Sequence, residues 1–348
     1  MRRLLLCLCL ICSNVTAQEL VNDVTGLNPV VVARVVAPRS EQQVVDALRS
    51  YPGPVSIGGG RYSMGGQTAA DGALQLDMRS LDKVLEFSPE RREIRVQSGI
   101  TWRAILEYID PYDLSPQIMQ SYANFTVGGS LSVNVHGRYV GEGPIVGSVK
   151  AIRVVLADGQ VVDATPSHNA ALFYGVIGGY GGLGVIVEAT LGLVENTRIA
   201  RESQVMALQD YRPWFYREVA SQPDMLMHNG ILYPDDFSTV RAVSYRRSDA
   251  ALTATERLSP AQQGSHLQRA GIRLSESSSG IKLREAALDP LLYRSPKVQW
   301  RNHEASLDVS ELEPISGADF SYVLQEYFVP PAQMERFVGE LARLTHQH

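Results

Sequence analysis

The chain has 348 residues, of which 45% are hydrophobic and 20% are charged, and its formal net charge is −5. This composition is typical of a globular protein that is long enough for about two domains. The acidic balance gives no reason to expect nucleic acid or an anionic membrane surface as a partner.

The first 17 residues have the pattern of a targeting segment. Arg2 and Arg3 precede an apolar run from Leu4 to Cys12, which is too short to span a bilayer, and small residues precede Gln18. We therefore expect residues 1–17 to be a signal peptide and the protein to be exported, periplasmic or secreted, with no transmembrane segment after cleavage. All three cysteines lie in this segment, so we expect the mature chain to have no disulfide and no Cys-ligated metal.

Hydrophobic periodicity and turn residues predict alternating strands and helices. In chain order we predict a strand at 30–36, a helix capped by Ser40, strands at 55–57, 74–77, 83–87 and 93–97, a helix at 101–109, a hairpin of 149–156 and 160–164, a helix at 170–177, a strand at 185–194, strands at 225–233 and 239–246, a polar insertion at 252–279, a strand at 322–329 and a helix at 331–346. We find no internal repeat and no metal-ligand spacing, so no metal site is predicted.

The most informative segment follows the short strand at 55–57. Five glycines occur within the nine positions from Gly58 to Gly66. Glycine accepts positive φ and has no Cβ that would hold a ligand away from the backbone, and consecutive N–H groups can form a concave site for a phosphate. For this segment alone, a plain glycine-rich turn is the alternative.

Two more glycine-rich segments follow. In 126–137, Gly128 and Gly129 open a short helical or turned segment whose N–H groups and hydroxyls could bind a diphosphate, the alternative being a turn of small packing residues. In 178–187, the residues from Gly179 to Gly184 match G-x-G-x-x-G. The Rossmann interpretation is excluded there, because that motif follows a strand and opens a helix, whereas this one follows a helix and opens a strand.

Together these segments resemble the PCMH-type FAD-binding domain of the vanillyl-alcohol-oxidase-type flavoproteins, over about residues 28–195. The matching motifs are the Pro38-Arg39-Ser40 step, the loop Gly59–Ser63, the segment Thr126–Gly129 with His136-Gly137, the turn Ala157-Asp158-Gly159, and Gly181–Ile186. The resemblance implies an α+β fold with a two-subdomain FAD-binding domain at 18–196 and an α+β substrate domain at 197–348. FAD is expected to lie extended between the two subdomains.

The resemblance also implies which residues contact FAD. These are Ile57, Gly58, Gly59, Gly60, Arg61, Tyr62, Ser63, Gly65, Gln67, Tyr122, Thr126, Val127, Gly128, Gly129, Ser132, His136, Gly137, Gly182, Gly184, Val185 and Ile186. Many family members carry a covalently attached His where Tyr62 stands. Tyrosine cannot form that histidyl bond, so we expect FAD to be bound non-covalently.

Within the family, the chain resembles sugar-lactone and aldonolactone oxidases and decaprenylphosphoryl-ribose oxidases, through residues 299–304 and 322–330. This likeness implies oxidation of a hydroxyl-bearing carbon of a sugar, lactone or related polyol, with hydride transfer to flavin N5 and with O2 or another electron acceptor. The catalytic candidates are His136, Arg301 and Asn302, with Glu326 nearby. The alternatives are a buried, hydrogen-bonded histidine and ordinary polar contacts between domains.

Three further expectations follow. Val135 precedes His136 and would hinder O2 if it lies over the flavin, which favours a dehydrogenase. The sequence has no candidate for the catalytic Lys that such families carry in a last segment, so we expect the C-terminus to be truncated. The alternative functions are a non-catalytic flavin-binding protein and an FAD-dependent reductase of a cell-wall sugar precursor, which needs NADPH and a cytoplasmic location.

Overall fold

The computed structural model describes residues 18–233, 237–260, 274, 277–309, 321, 323–345 and 347, and the predicted signal peptide lies outside them. Helices and strands are mixed in the α+β manner that the sequence predicts. The described helices are α1 (Glu41–Ser50), α2 (Trp102–Ile109), α3 (Val127–Ser132), α4 (Ala170–Val176), α5 (Leu208–Phe215), α6 (Ser278–Leu283), α7 (Asp289–Tyr293), α8 (Arg301–Ala305) and α9 (Met334–Thr345), with π-helical turns at Tyr216–Ala220 and Arg284–Leu288.

A small parallel sheet lies near the beginning of the described chain. It contains β3 (Arg34–Val36), β4 (Val55–Gly58) and β5 (Leu74–Asp77) in the order β3-β5-β4. α1 packs its buried valines against this sheet, and Ser40 caps the helix by accepting from the N–H of Gln43, as the sequence predicts.

The predicted strand at 30–36 is wrong as one element. It divides into β2 (Val30–Val32), which pairs with β1 (Glu19–Val21), and β3, which pairs with β5. The chain changes partner at Ala33, whose N–H donates to the carbonyl of Ala73 at 2.9 Å. A run of valines cannot reveal this change, because both halves have the same β propensity.

A larger antiparallel sheet follows. Its strands are β6 (Val84–Ser88), β7 (Glu93–Gln97), β8 (Leu114–Pro116), β9 (Val149–Val155), β10 (Val161–Ala164) and β11 (Val185–Glu195), in the order β10-β9-β11-β7-β6 with β8 beside the end of β11. The largest apolar core lies between this sheet and the helices α2, α3 and α4. Trp102 is fully buried there, and its indole N–H donates to Ser130 Oγ at 2.9 Å.

A second antiparallel sheet is formed by the later part of the chain. It contains β12 (Arg198–Ala207), β13 (Met225–Leu232), β14 (Thr239–Arg247) and β15 (Lys297–Trp300) in the order β13-β14-β12-β15. β12 begins two residues after the predicted domain limit at 196. The sequence analysis missed both β12 and β15, because charged and polar residues interrupt their apolar alternation.

The predicted strand at 322–329 is wrong over the residues that are described there. Residues 323–330 have no strand, and Leu324, Tyr327 and Phe328 are exposed. Much of the predicted insertion at 252–279 lies outside the described residues, and α6 begins at its end, at Ser278. The described helices include none that is long and apolar enough to cross a membrane.

Candidate functional site

A cavity of about 300 Å³ lies where the parallel sheet meets the larger antiparallel sheet, within the range typical of small-molecule sites. The loop after β4, the start of α3 and the loop before β11 all contribute to its walls. Among the predicted cofactor residues, those that line it are Ile57, Gly59, Gly60, Arg61, Tyr62, Ser63, Gln67, Thr126, Gly128, Gly129, Ser132, Gly184 and Ile186. The structure thus brings together the three glycine-rich segments.

Glycine is required where these segments touch one another. A Cβ on Gly59 would overlap Thr126 Oγ1, and a Cβ on Gly181 would lie 2.8 Å from Ile57 Cδ1. These distances are too short for real Cβ contacts, so a larger residue would push the segments apart. The glycines therefore close the cavity wall by allowing side chains of neighbouring segments to pack directly on the glycine backbone.

The loop after β4 has unused hydrogen-bond donors. The N–H groups of Gly60, Arg61 and Ser63 donate to no acceptor within the described part of the chain. Arg61 has φ +62°, and its carbonyl accepts from the N–H of Val24 at 2.9 Å. Such a left-handed residue in a loop with free amides is typical of a backbone anion site.

Two buried side-chain atoms at the cavity also have no hydrogen-bond partner within the described residues. They are Arg61 Nε and Ser98 Oγ. Buried polar atoms are normally paired, so orphaned donors in a cavity wall indicate a polar ligand. The free amides, the orphaned donors and the cavity together fit the pyrophosphate of a dinucleotide such as FAD.

The second glycine segment contributes less than the sequence predicted. The N–H of Val127 donates to the carbonyl of Ile100 at 2.9 Å, and the N–H of Gly128 donates to that of Ser98 at 2.7 Å. These amides are therefore occupied by the protein itself. α3 shapes the wall by close packing, and Ser132 adds a hydroxyl to it.

Several predicted site residues do not line the cavity. They are Gly58, Gly65, Tyr122, Val127, His136, Gly137, Gly182, Val185, Arg301 and Asn302. Val127 and Val185 are buried in the two cores, where their side chains fill space beside the cavity. Gly137 packs against the carbonyl of Met119, which leaves no room for a Cβ.

Arg301 and Asn302 lie where α8 meets β8. Asn302 is fully buried, and its amide donates to Asp110 Oδ1 and to the carbonyl of Leu114, both at 2.8 Å. Arg301 donates to the carbonyls of Pro116 and Gln117, and burial lowers its pKa. These two residues therefore have the geometry of polar contacts between sheets, which was the alternative to a substrate role.

His136 is next in sequence to a residue of the cavity wall. Its Nε2 is 2.8 Å from Glu326 Oε1, and its Nδ1 is 3.3 Å from the carbonyl of Gly137. Both neighbours are hydrogen-bond acceptors, and the contact with Glu326 is the shorter of the two. The adjacent Val135 lines the cavity, and so does Leu324, two residues before Glu326.

Sequence reasoning missed several wall residues. These are Thr68, Met78, Ser98, Phe125, Ser130, Val133, Val176, Tyr180 and Leu324. Phe125 and Tyr180 could have been predicted from the sequence, because Phe125 precedes a glycine-rich segment and Tyr180 lies within one. Phe125 packs edge-to-face on Tyr62, with ring centroids 4.6 Å apart. Ser98 and Met78 could not have been predicted from the sequence, since only the tertiary fold brings them to the cavity.

One larger buried cluster joins the loop after α3 to the second antiparallel sheet. Arg138 Nη2 donates to Glu304 Oε1 at 2.8 Å, and Gln299 donates to Glu304 Oε2 at 2.6 Å. Burial alone would raise the pKa of Glu304, but the charge of Arg138 and hydrogen bonds from Arg138 and Tyr245 outweigh burial and lower it. The cluster fixes the chain two residues beyond His136.

Comparison with known proteins identifies a domain in the first half of the chain. Residues 32–165 match the family described as FAD binding domain. Cytokinin dehydrogenase 3 of Oryza sativa subsp. japonica is 31% identical over 176 residues, which are 48% of this chain and 33% of that protein. Cytokinin dehydrogenase 1 of Arabidopsis thaliana is 31% identical over 142 residues, 40% of this chain and 25% of that protein.

The mitochondrial L-galactono-1,4-lactone dehydrogenase of Brassica oleracea is 29% identical over 137 residues, 39% of this chain and 23% of that protein. The matched part of this chain thus spans between 23% and 33% of the length of these three relatives. The matched family, the free loop amides and the orphaned cavity donors agree on one cofactor, FAD. Residues 32–165 of this chain therefore carry an FAD-binding domain of the PCMH type.

Proposed function

We propose that this chain is an FAD-dependent oxidoreductase that oxidises a hydroxyl-bearing carbon of a sugar, aldonolactone or related polyol. The observation that carries the proposal is a cavity suited to FAD whose wall includes Val135, the residue before the His136–Glu326 pair. The relative named as a lactone dehydrogenase supports the same class of substrate.

The chemistry divides between cofactor and protein. Bound FAD would supply the acceptor for the hydride that leaves the substrate carbon. Gly60, Arg61 and Ser63 would hold the pyrophosphate through their free amides. His136 would take the proton from the substrate hydroxyl on Nδ1, whose 3.3 Å contact with the carbonyl of Gly137 is the weaker of its two, while Glu326 accepts from Nε2 and orients the ring.

We further propose that FAD is held without a covalent bond. Tyr62 lines the cavity where many family members carry the attached histidine, and its ring packs on Phe125. Acid precipitation of the purified protein should therefore leave a yellow supernatant. A yellow pellet would contradict non-covalent binding.

The experiment that tests the function is anaerobic reduction of the purified flavoprotein. A panel of alditols, aldonolactones and hydroxy acids is mixed with the protein, and bleaching of the flavin band identifies the substrate. H136Q should slow bleaching by about 10²–10⁴-fold, the usual contribution of a general base, without changing FAD content. H168N, at an exposed histidine that does not line the cavity, is the matched control. Equal bleaching by H136Q and wild type would reject the role of His136.

A second candidate function is dehydrogenation of a cytokinin. Two of the relatives described above are named cytokinin dehydrogenases, and their identity to this chain is similar to that of the lactone dehydrogenase. Cytokinins therefore belong in the same panel. Bleaching by a cytokinin and by no hydroxyl compound would favour this second function.

Export is also part of the proposal, although residues 1–17 lie outside the described residues. Expression of the full gene followed by N-terminal sequencing of the extracytoplasmic fraction should give a chain that begins at Gln18. A chain that begins at Met1 would contradict the predicted signal peptide.

A further inference from the structure

A buried carboxylate lies behind the glycine-rich loop. Asp23 is 7% exposed and belongs to a short segment, residues 22–28, that packs against this loop. Its Oδ1 accepts from the N–H and the hydroxyl of Thr25, at 2.9 and 2.5 Å. Its Oδ2 accepts from Asn28 Nδ2 at 2.8 Å and from the N–H of Gly66 at 3.1 Å.

The segment 22–28 holds the loop at three points. The N–H of Val24 donates to the carbonyl of Arg61, Asn28 Nδ2 donates to the carbonyl of Met64 at 3.3 Å, and Asp23 accepts from the N–H of Gly66. Gly66 has φ +76°, a conformation in which side chains are strained. These contacts lie at or beside Gly60, Arg61 and Ser63, whose amides have no acceptor within the described chain.

We propose that Asp23 is a positioning residue for the cofactor, which holds the loop 58–66 in the shape that binds the pyrophosphate of FAD. The proposal rests on the assignment of this loop to the pyrophosphate, and it requires no particular substrate. The test therefore measures the affinity for FAD and its fragments, which does not depend on turnover of a substrate.

The charge of Asp23 makes the proposal distinctive. A carboxylate close to an anion-binding loop repels the ligand, so electrostatics alone would disfavour it there. Burial by itself would raise the pKa of Asp23, but the hydrogen bonds from Thr25, Asn28 and Gly66 outweigh burial and hold the pKa below its ordinary value, so the group stays ionised. If Asp23 acted mainly through its charge, neutralising it would strengthen binding of the anionic ligand. If it acts by organising its donors, neutralising it would weaken binding.

The test compares D23N with D71N in the full chain freed of flavin. Asp71 is exposed and makes no hydrogen bond through its side chain within the described chain, so D71N makes the same charge change without disturbing the loop. In D23N, the N–H₂ side of the new amide must face either the donors of Thr25 or the donors of Asn28 and Gly66, so one side of the arrangement loses its acceptor. Dissociation constants are measured for FAD, for ADP, which keeps the diphosphate, and for riboflavin, which lacks it.

D23N should weaken binding of FAD and of ADP by about tenfold, the scale of a lost hydrogen bond to a charged group, and should leave riboflavin unchanged. D71N should stay within about twofold of wild type for all three ligands. Wild-type or tighter binding of FAD by D23N would overturn the proposal. An equal loss for riboflavin would also overturn it, because that pattern indicates general loosening of the domain.

A milder variant covers the case in which D23N does not fold. T25V removes the hydroxyl donor to Asp23 while the backbone donor of residue 25 remains. Folded T25V should bind FAD and ADP about threefold more weakly than wild type, with riboflavin unchanged. Wild-type affinity of T25V for FAD would overturn the proposal.

Discussion

Replacing Glu304 by glutamine should destabilise the protein strongly, because it leaves a buried cation without its counter-charge. The side chain of Glu304 is 7% exposed and that of Arg138 is 22% exposed, and the two are joined by a 2.8 Å hydrogen bond. In E304Q, an amide N–H₂ must also face either Arg138 or the amide donor of Gln299. Both changes leave buried donors unpaired.

The expected magnitude follows from that exposure. Breaking a buried ion pair by removing one partner costs about 3–5 kcal/mol. The partial exposure of Arg138 allows water to reach part of the guanidinium, so we expect the loss at the lower end, about 3 kcal/mol. The pair of Arg103 and Glu107 is the control, because its arginine is as exposed as Arg138 but its carboxylate is 54% exposed. Arg103 also keeps the carbonyl of Ser259 as an acceptor, so E107Q should cost about 0–0.5 kcal/mol.

Urea unfolding followed by circular dichroism measures these differences. The folded pKa of Glu304 is lowered below its ordinary value of 4.5, so its stabilisation is complete above that pH and is lost as pH falls through the folded pKa. The gap between wild type and E304Q should therefore close in acid. The reasoning is refuted if E304Q costs no more than E107Q at pH 7, or if the double variant R138M/E304L is no more stable than E304Q.

Three other predictions concern the cavity and the second antiparallel sheet. G59A should weaken FAD binding by about a hundredfold, because its Cβ overlaps Thr126 Oγ1; G59A/T126A should recover part of the affinity, and G143A, which has open space, should bind normally by flavin titration. Burial lowers the pKa of His228 to about 4 from 6.5, so the unfolded chain binds the proton first and stability should fall as pH drops through this interval; we expect wild type to lose on the order of 1 kcal/mol more than H228Q over this interval, a value discounted for the ring's partial exposure. V135A should speed reoxidation of the reduced flavoprotein by O2 about tenfold in stopped flow, and an unchanged rate would reject the hypothesis that Val135 hinders O2.

The sequence predicts those elements whose local pattern is complete. α1 has its Ser40 cap and an apolar face, and the hairpin of β9 and β10 has alternating residues around a D-G turn. β12 and β15 do not have a complete pattern. Charged and polar residues interrupt the apolar alternation of β12, and Gln299 of β15 is buried by neighbours that only the tertiary fold supplies. The apolar residues at 323–329 have the alternation that is typical of a strand, but they are exposed and pair with no strand in the described structure.

The site follows the same rule. Gly59 and Gly128 are predictable because close backbone contact requires glycine in any context. Ser98 is not, since it reaches the cavity from the end of β7 through a contact distant in sequence. Arg301 was assigned to the substrate because a sequence does not distinguish a buried structural arginine from an active-site arginine. Only the carbonyl groups that Arg301 contacts distinguish the two roles.

Stability and chemistry are coupled in the segment from Val135 to Arg138. Val135 lines the cavity, His136 contacts Glu326, Gly137 packs tightly on backbone, and Arg138 is anchored by Glu304. Loosening that anchor should displace His136 while the pyrophosphate loop, held separately by residues 22–28, keeps its shape. E304Q studied well below its unfolding temperature should therefore reduce its flavin more slowly with substrate while binding FAD with wild-type affinity. A parallel loss of both would indicate that the anchor supports the whole cavity and not His136 in particular.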